Sequence, residues 1–350
     1  MPKNIIIVGD FARDLDDEHT LVLAAGLQKA GLIKLCGVIG NLLPAKERAK
    51  VAKGTLNELG LSNVPVGIGS DVVKSADIHE YEVGSVPYIA SEEELFPWDN
   101  ALHSFLTGYS LNDEKVTLVL QSGLTDAVEL LRDDEYLFQG VVEEVVIMGG
   151  IQAQGDDVML TGKYMQSDDA HNVTYDWPSG AWLYAKLQEL GIPMIITTRN
   201  TAYACQIPFS IYDEMEKTGN PVGKCLKDRQ KPSLEALWTA ACAPEDASIR
   251  GTLPPRCNRE WFIDTFCDSK DPGDNIHEIW PYTGKFNLYD PMNLLVAVPE
   301  LRKEYFQATE VSVLGTRHLI VGVSPKNNGI KNVDLLREFI VNTELSGLTI

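Results

Sequence analysis

Short, continuous apolar runs recur along the chain at Ile5–Val8, Leu35–Ile39, Val116–Leu120, Val145–Met148, Met194–Thr198 and Leu319–Val323. They are rich in Val, Ile and Leu, and Gly, Pro or Asn bounds most of them. A strand with one wet face alternates apolar and polar side chains. These runs do not, which predicts strands buried on both faces, as in a parallel sheet. Between them lie segments with helical spacing: Glu18–Lys29, Ala45–Leu59, Asp126–Leu131, Pro178–Leu190 and Val333–Leu345. Such alternation predicts βαβ units, and so an α/β fold with a doubly wound, mostly parallel sheet flanked by helices.

Two stretches break the rhythm. Residues 77–100 are acidic and carry aromatics, and residues 204–274 hold two helix-like pieces followed by a long irregular run. Insertions of this length usually serve as lids or binding segments. No repeat, low-complexity tract or linker is visible, so the expectation is a single domain over 1–350 with insertions near 77–100 and 204–274.

Charge narrows the partners. Thirty Lys and Arg against 50 Asp and Glu give a net charge of −20. Phosphate backbones and anionic membranes would be repelled, so neither a nucleic acid nor a membrane is the expected partner. A small anion in a local pocket is not excluded. No run approaches the roughly 18 apolar residues that a spanning helix needs. The N-terminal MPKNIIIVGD enters a strand directly and shows no leader or cleavage site. The six cysteines form no C-x-x-C pair, and a chain of this length is not a disulfide scaffold. Mostly reduced thiols and a cytoplasmic location are expected, with a disulfide among the last five left open.

The chemistry gathers where the first strand meets the first helix. Asp10, Asp14, Asp16 and Asp17 fall within eight residues. Ligands of open α/β sheets sit beyond the carboxyl ends of the strands, where these groups would lie. Crowded carboxylates repel one another unless a cation or protons intervene, and a hard cation such as Ca²⁺ or Mg²⁺ takes oxygen ligands. Capping is the rival reading: Asp16 at the helix start, with Asp17 and Glu18 favoured by the helix dipole. Capping does not account for Asp10.

Other strand ends are polar too. Asn41 follows the second strand, Thr125 and Asp126 the third, and Gly149–Gly150 follows Met148. Asp168, Asp169, His171, Asn172 and Asp176 cluster in DDAHNVTYD, and Tyr289 and Asp290 precede another helix. Taken singly, each reads as a turn or cap. Their recurrence on one face strengthens the case for a site.

These segments resemble, in order, the inosine–uridine nucleoside hydrolase family. DFARDLDD at residues 10–17 is similar to its D-x-D-P-G-x-D-D, and VIGN, SGLTDAVELL, VVIMGG, AHNVTYDWPSGA and LYDPMNLL are similar to its later motifs. The matches run from residue 4 to about residue 300. The resemblance implies a hydrolase that cleaves the N-glycosidic bond of a ribonucleoside or related N-riboside, using Ca²⁺ and an activated water. It implies a homo-oligomer, dimer or tetramer. Asp10, Asp17, Thr125 and Asp290 are the implied calcium ligands. Asp16, Asn41 and Asn172 are implied ribose contacts, with Met148 beside the sugar.

The departures fall on the catalytic roles. The family's second Asp, a metal ligand and the expected base, is Ala12 here, and its Pro-Gly is Arg13–Asp14. A methyl group neither binds Ca²⁺ nor takes a proton. Asp10 or Asp14 is therefore the candidate replacement, and Arg13 would pair with Asp14 or meet an anionic group on the substrate. A Glu expected two residues before Asn172 is Ala170, and a His expected before Asp290 is Tyr289, whose hydroxyl can still donate a hydrogen bond. The alternative is a non-catalytic nucleoside- or sugar-binding protein on the same fold. A phosphatase of the haloacid dehalogenase type also sets Asp-x-Asp after its first strand, but Ala12 and Asp14 stand where it needs Asp and Thr. His79, His103, His277, Trp98, Trp280 and Tyr282 are candidates to meet the base, although packing is the commoner fate of such residues.

Overall fold

The computed structural model describes residues 1–12, 15–71, 84–97, 100–251, 253–268, 270–273 and 279–349. Asp14, with Arg13, His79, Trp98 and His277, lies outside them.

The central sheet has eight strands: β1 (Lys3–Gly9), β2 (Ile33–Gly40), β3 (Val66–Ile68), β4 (Val116–Leu120), β5 (Val142–Gly149), β6 (Met194–Thr198), β7 (Thr309–Val313) and β8 (Thr316–Val321). Their order is β7-β8-β6-β5-β4-β1-β2-β3. Every pairing is parallel except β7 with β8. That pair is a hairpin turned by Leu314 and Gly315, both at positive φ, as a two-residue turn requires.

The apolar runs are buried on both faces, as their lack of alternation predicts. Ile5 and Ile7 join one core, while Ile6 and Val8 join the other. The flanking helices that matter for the site are α1 (Asp16–Lys29), α2 (Ala45–Glu58), α3 (Ala101–Ser110), α4 (Thr125–Asp133), α5 (Trp177–Glu189), α6 (Arg199–Ala204), α7 (Pro221–Cys242), α8 (Asp290–Ala297) and α9 (Val333–Gly347). Sequence spacing missed β3 and β7. The first is three residues long, and the second has the half-exposed alternation of an edge strand.

The topology locates the crevice. From β1 the chain moves through β2 and β3 on one side, then returns to place β4 on the other. The carboxyl ends of β1 and β4 therefore flank a switch point, where doubly wound sheets bind ligands. The register Val8↔Leu120 sets Gly9 beside Gln121 across this gap. Among the described residues, no helix is long and apolar enough to cross a membrane, and the six cysteines are free thiols.

Candidate functional site

Three carboxylates converge at the switch point. Asp16 and Asp17, on the first turn of α1, and Asp290, at the start of α8, each place an oxygen within 4.8 Å of the others. All three are buried. Side-chain capping does not explain them. Leu15 occupies the cap of α1 and Tyr289 that of α8, and neither makes a side-chain cap bond. Asp16 instead reaches across the chain, its Oδ2 accepting from the backbone N–H groups of Tyr289 at 3.2 Å and Asp290 at 3.4 Å.

Gln121, just past β4, holds Asp17 through a 2.8 Å bond from Nε2 to Oδ1. The two meet against the end of β1, where a Cβ on Gly9 would fall 2.3 Å from Asp17 Oδ1. Only glycine leaves that space. Gln121 also offers its carbonyl to Asn172 Nδ2 at 2.9 Å, and the same amide donates to the Met148 carbonyl at 3.0 Å. Asn172, Met148, Gln121 and Asp17 thus form one connected set.

Asn41, past the end of β2, donates to the Gly123 carbonyl at 2.9 Å and to Asp126 Oδ2 at 2.7 Å. Burial raises the Asp126 carboxyl above its ordinary pKa, against the hydrogen bonds from Asn41 and Ser70 that lower it. Asp126 also touches a cavity of about 420 Å³ bordered by Ser70, Phe96 and His103. His103 lies 3.5 Å from Asp134 there, and Trp280 packs on Phe209 at 5.2 Å between ring centres. Tyr282 is surface-exposed. Thr125, at the head of α4, gives its hydroxyl to Asp176 Oδ2 at 3.0 Å.

Asp10 is buried at the end of β1, outside the three-carboxylate group. Its carbonyl and that of Phe11 accept from Arg48 Nη1 at 3.2 and 3.0 Å. Ala12 follows in the left-handed region at φ 73°, fully buried. Glu18 Oε2 accepts from its N–H at 3.2 Å, and Arg229 of α7 donates to its carbonyl at 3.4 Å. Tyr289 packs edge-on against Tyr203 of α6, with ring centres 6.0 Å apart. Burial, with Tyr203 adding to it, pushes the Tyr289 phenol well above its ordinary pKa, so it stays protonated.

The donor set suits a hard divalent cation: three buried carboxylates in one small volume, with oxygen ligands only. Buried amide oxygens on Asn41, Gln121 and Asn293 have no hydrogen-bond partner among the described residues. Orphaned acceptors of this kind are costly, and hydroxyl donors on a ligand or water would satisfy them. The sequence points to Glu18 only as a helix-dipole partner, and it does not single out Gln121, Arg229 or Tyr203. Gln121 directly precedes the SGLTDAVELL segment, whereas Arg229 carries no local signal.

Comparison with known proteins supports the fold. No family model matches the chain, and no curated protein matches it. The type III effector protein XopQ, solved in complex with adenosine diphosphate ribose, is similar over 99% of this chain and 94% of that one, at 27% identity and a TM-score of 0.79. The effector protein XOO4466 is similar over the same shares, at 27% identity and a TM-score of 0.81. The inosine–uridine preferring nucleoside hydrolase of Bacillus anthracis matches 99% of this chain and all of that one, at 14% identity and a TM-score of 0.58. The protein therefore has the nucleoside hydrolase fold, a mostly parallel eight-stranded sheet flanked by helices. At 14% identity the likeness to the Bacillus anthracis enzyme is one of fold alone.

Proposed function

We propose that the protein is a hydrolase that cleaves the N-glycosidic bond of a ribonucleoside or related N-riboside. The observation that carries this reading is the convergence of Asp16, Asp17 and Asp290 at the β1–β4 switch point, braced by Gln121. The fold shared with nucleoside hydrolases supports it, as does the ligand of the similar XopQ structure, since adenosine diphosphate ribose is itself an N-riboside.

Asp16, Asp17 and Asp290 would hold the divalent cation, with Ca²⁺ the first choice on the family resemblance. A cation there supplies positive charge that orients ribose hydroxyls and acidifies water. The chain's own residues carry the remaining roles. Asn41 and Asn172, fixed by the backbone carbonyls they donate to, line the sugar's position. Water attacks C1′ as the C1′–N bond breaks, and the bonding electron pair leaves with the base. Asp10 is the described carboxylate assigned to take the water's proton, with Asp14 its alternative. Tyr289, kept protonated by its surroundings, donates a hydrogen bond to the departing base.

Ala12 favours a second reading, a riboside-binding protein without turnover, because its methyl stands where the resemblance places a carboxylate base. One assay separates the two. Release of free base from a panel of ribosides is followed with Ca²⁺ and with chelator, in wild type and Asp17→Asn. Ca²⁺-dependent release lost in the variant supports the enzyme. Riboside binding with no release from any member of the panel supports the binder and overturns the enzyme.

A further inference from the structure

Arg199 and Arg256 share one carboxylate, that of Asp169. Arg199 opens α6 directly after β6, on the ligand-binding face of the sheet. Arg256 arrives from the insertion. Asp169 bridges them, 3.3 Å from Arg199 Nη1 and 3.4 Å from Arg256 Nη1, and Asp168 lies 3.2 Å from Arg199 Nη2.

Both ends of this cluster lead to the proposed site. Tyr203 lies one helical turn beyond Arg199, on the same side of α6. It packs on Tyr289, whose N–H binds Asp16. On the other side, Asp168 sits against Gly150, where a Cβ would fall 1.6 Å from its Oδ1. Asn172, four residues further on, binds the Met148 carbonyl. Arg199 and Arg256 keep 31% and 41% of their side-chain surface exposed, and Asp169 keeps 68%. Ion pairs this wet contribute little to stability and exchange readily. A phosphate accepts two parallel bonds from a guanidinium and would displace Asp169.

We infer that Arg199 and Arg256 form a subsite for the 5′-phosphate of a phosphorylated riboside. The inference rests on the riboside reading above. A sugar whose vicinal hydroxyls face the three carboxylates must carry any anionic group away from them. In a chain of net charge −20, two guanidiniums linked to the carboxylate cluster through Tyr203 and Tyr289 provide that place. The pair acts on specificity, choosing ribosides with a 5′-phosphate over those without.

The test compares adenosine with adenosine 5′-monophosphate, and ribose with ribose 5-phosphate. Kd is measured in Ca²⁺, or KM where base is released. Wild type is expected to prefer the phosphorylated member of each pair by about tenfold or more. Arg199→Gln with Arg256→Gln should bring that ratio to about twofold or less, and the matching Lys variants should keep part of it. Should the double variant fail to fold, Arg256→Gln alone, on the more exposed arginine, must still lower the ratio. Equal affinities in wild type, or a ratio unchanged in the variants, overturn the subsite. Adenosine and ribose bound without phosphate preference overturn the subsite alone. Failure of all four compounds to bind overturns the riboside reading with it.

Discussion

Glu18 and Arg229, 211 residues apart, meet at 2.5 Å and together hold the backbone of Ala12. Each also touches that backbone directly, one accepting from its N–H and the other donating to its carbonyl. The pair is sealed from water, with side-chain exposures of 0% and 2%. Burial opposes the charge on Arg229, but the Glu18 carboxylate outweighs it and the guanidinium pKa rises. The loop that leads into the carboxylate cluster is thus held in its left-handed turn by a helix from the insertion.

Removing one partner leaves the other as a buried, uncompensated charge. Arg229→Met is expected to cost about 3–5 kcal/mol. Urea unfolding gives the value. Arg229→Met combined with Glu18→Leu should cost less than Arg229→Met alone, because no lone charge remains. A double-variant cost equal to the sum of the Arg229→Met and Glu18→Leu costs would mean the pair is not coupled.

The carboxylate cluster predicts opposite signs with and without cation. In chelator, Asp17→Asn or Asp290→Asn relieves mutual repulsion and should raise stability by about 1 kcal/mol. In excess Ca²⁺ the same variants should be less stable than wild type and bind the ion at least about tenfold more weakly. Thermal midpoints in EDTA and in Ca²⁺ measure both effects. A wild type indifferent to every divalent cation would refute the metal assignment.

Ala12→Asp tests the position that departs from the family pattern. Asp tolerates the left-handed region better than Ala, but this site is fully buried beside Glu18. Without cation the variant should be less stable than wild type, the reverse of Asp17→Asn. With Ca²⁺, base release should rise by on the order of tenfold as a further carboxylate joins the site. A rate that falls in Ca²⁺ would show that the turn has no room for the carboxylate.

His318, buried in β8, gives the acid limb of stability. Its Nδ1 accepts from the Met194 N–H at 3.1 Å, and burial pushes its pKa down to about 4. The unfolded chain binds the proton more readily than the folded one between pH ~6.5 and ~4, so stability falls as pH falls through that window. The loss between pH ~7 and ~5 should be on the order of 1–2 kcal/mol. His318→Asn, which keeps an acceptor, should flatten the slope. Urea midpoints across this range measure it.

The sheet was legible because burial on both faces leaves its mark on consecutive residues, and β1, β4, β5 and β6 lie where their apolar runs predict. The strand-end residues were legible as a class, since topology brings strand ends together whatever their separation in the chain. Roles within the class were not. Asp16 looks like a cap in sequence, yet its oxygen serves the backbone of Tyr289 and Asp290, a partnership that only tertiary packing creates. Arg229 sits in a long helix beside Lys227, Asp228 and Lys231, with nothing local to say which of these charges is buried. The division of labour among Asp10, Asp16 and Asp17 depends on distances, which spacing along the chain does not encode.

The grip of Arg229 on Ala12 also orders events during synthesis. The ribosome releases Asp10, Asp16 and Asp17 near the start, Gln121 a third of the way along, Arg229 two-thirds along and Asp290 near the end. Chains elongate from the N-terminus at about 5–20 residues per second. For most of that time the first acidic turn waits beside β1 without the guanidinium that shapes it or the last carboxylate that completes the cluster. A nascent chain halted before Asp290 should therefore hold a formed β1–β2 pair but lack the proposed cation site, so divalent-ion capture, if the proposal holds, would report that synthesis has passed Asp290.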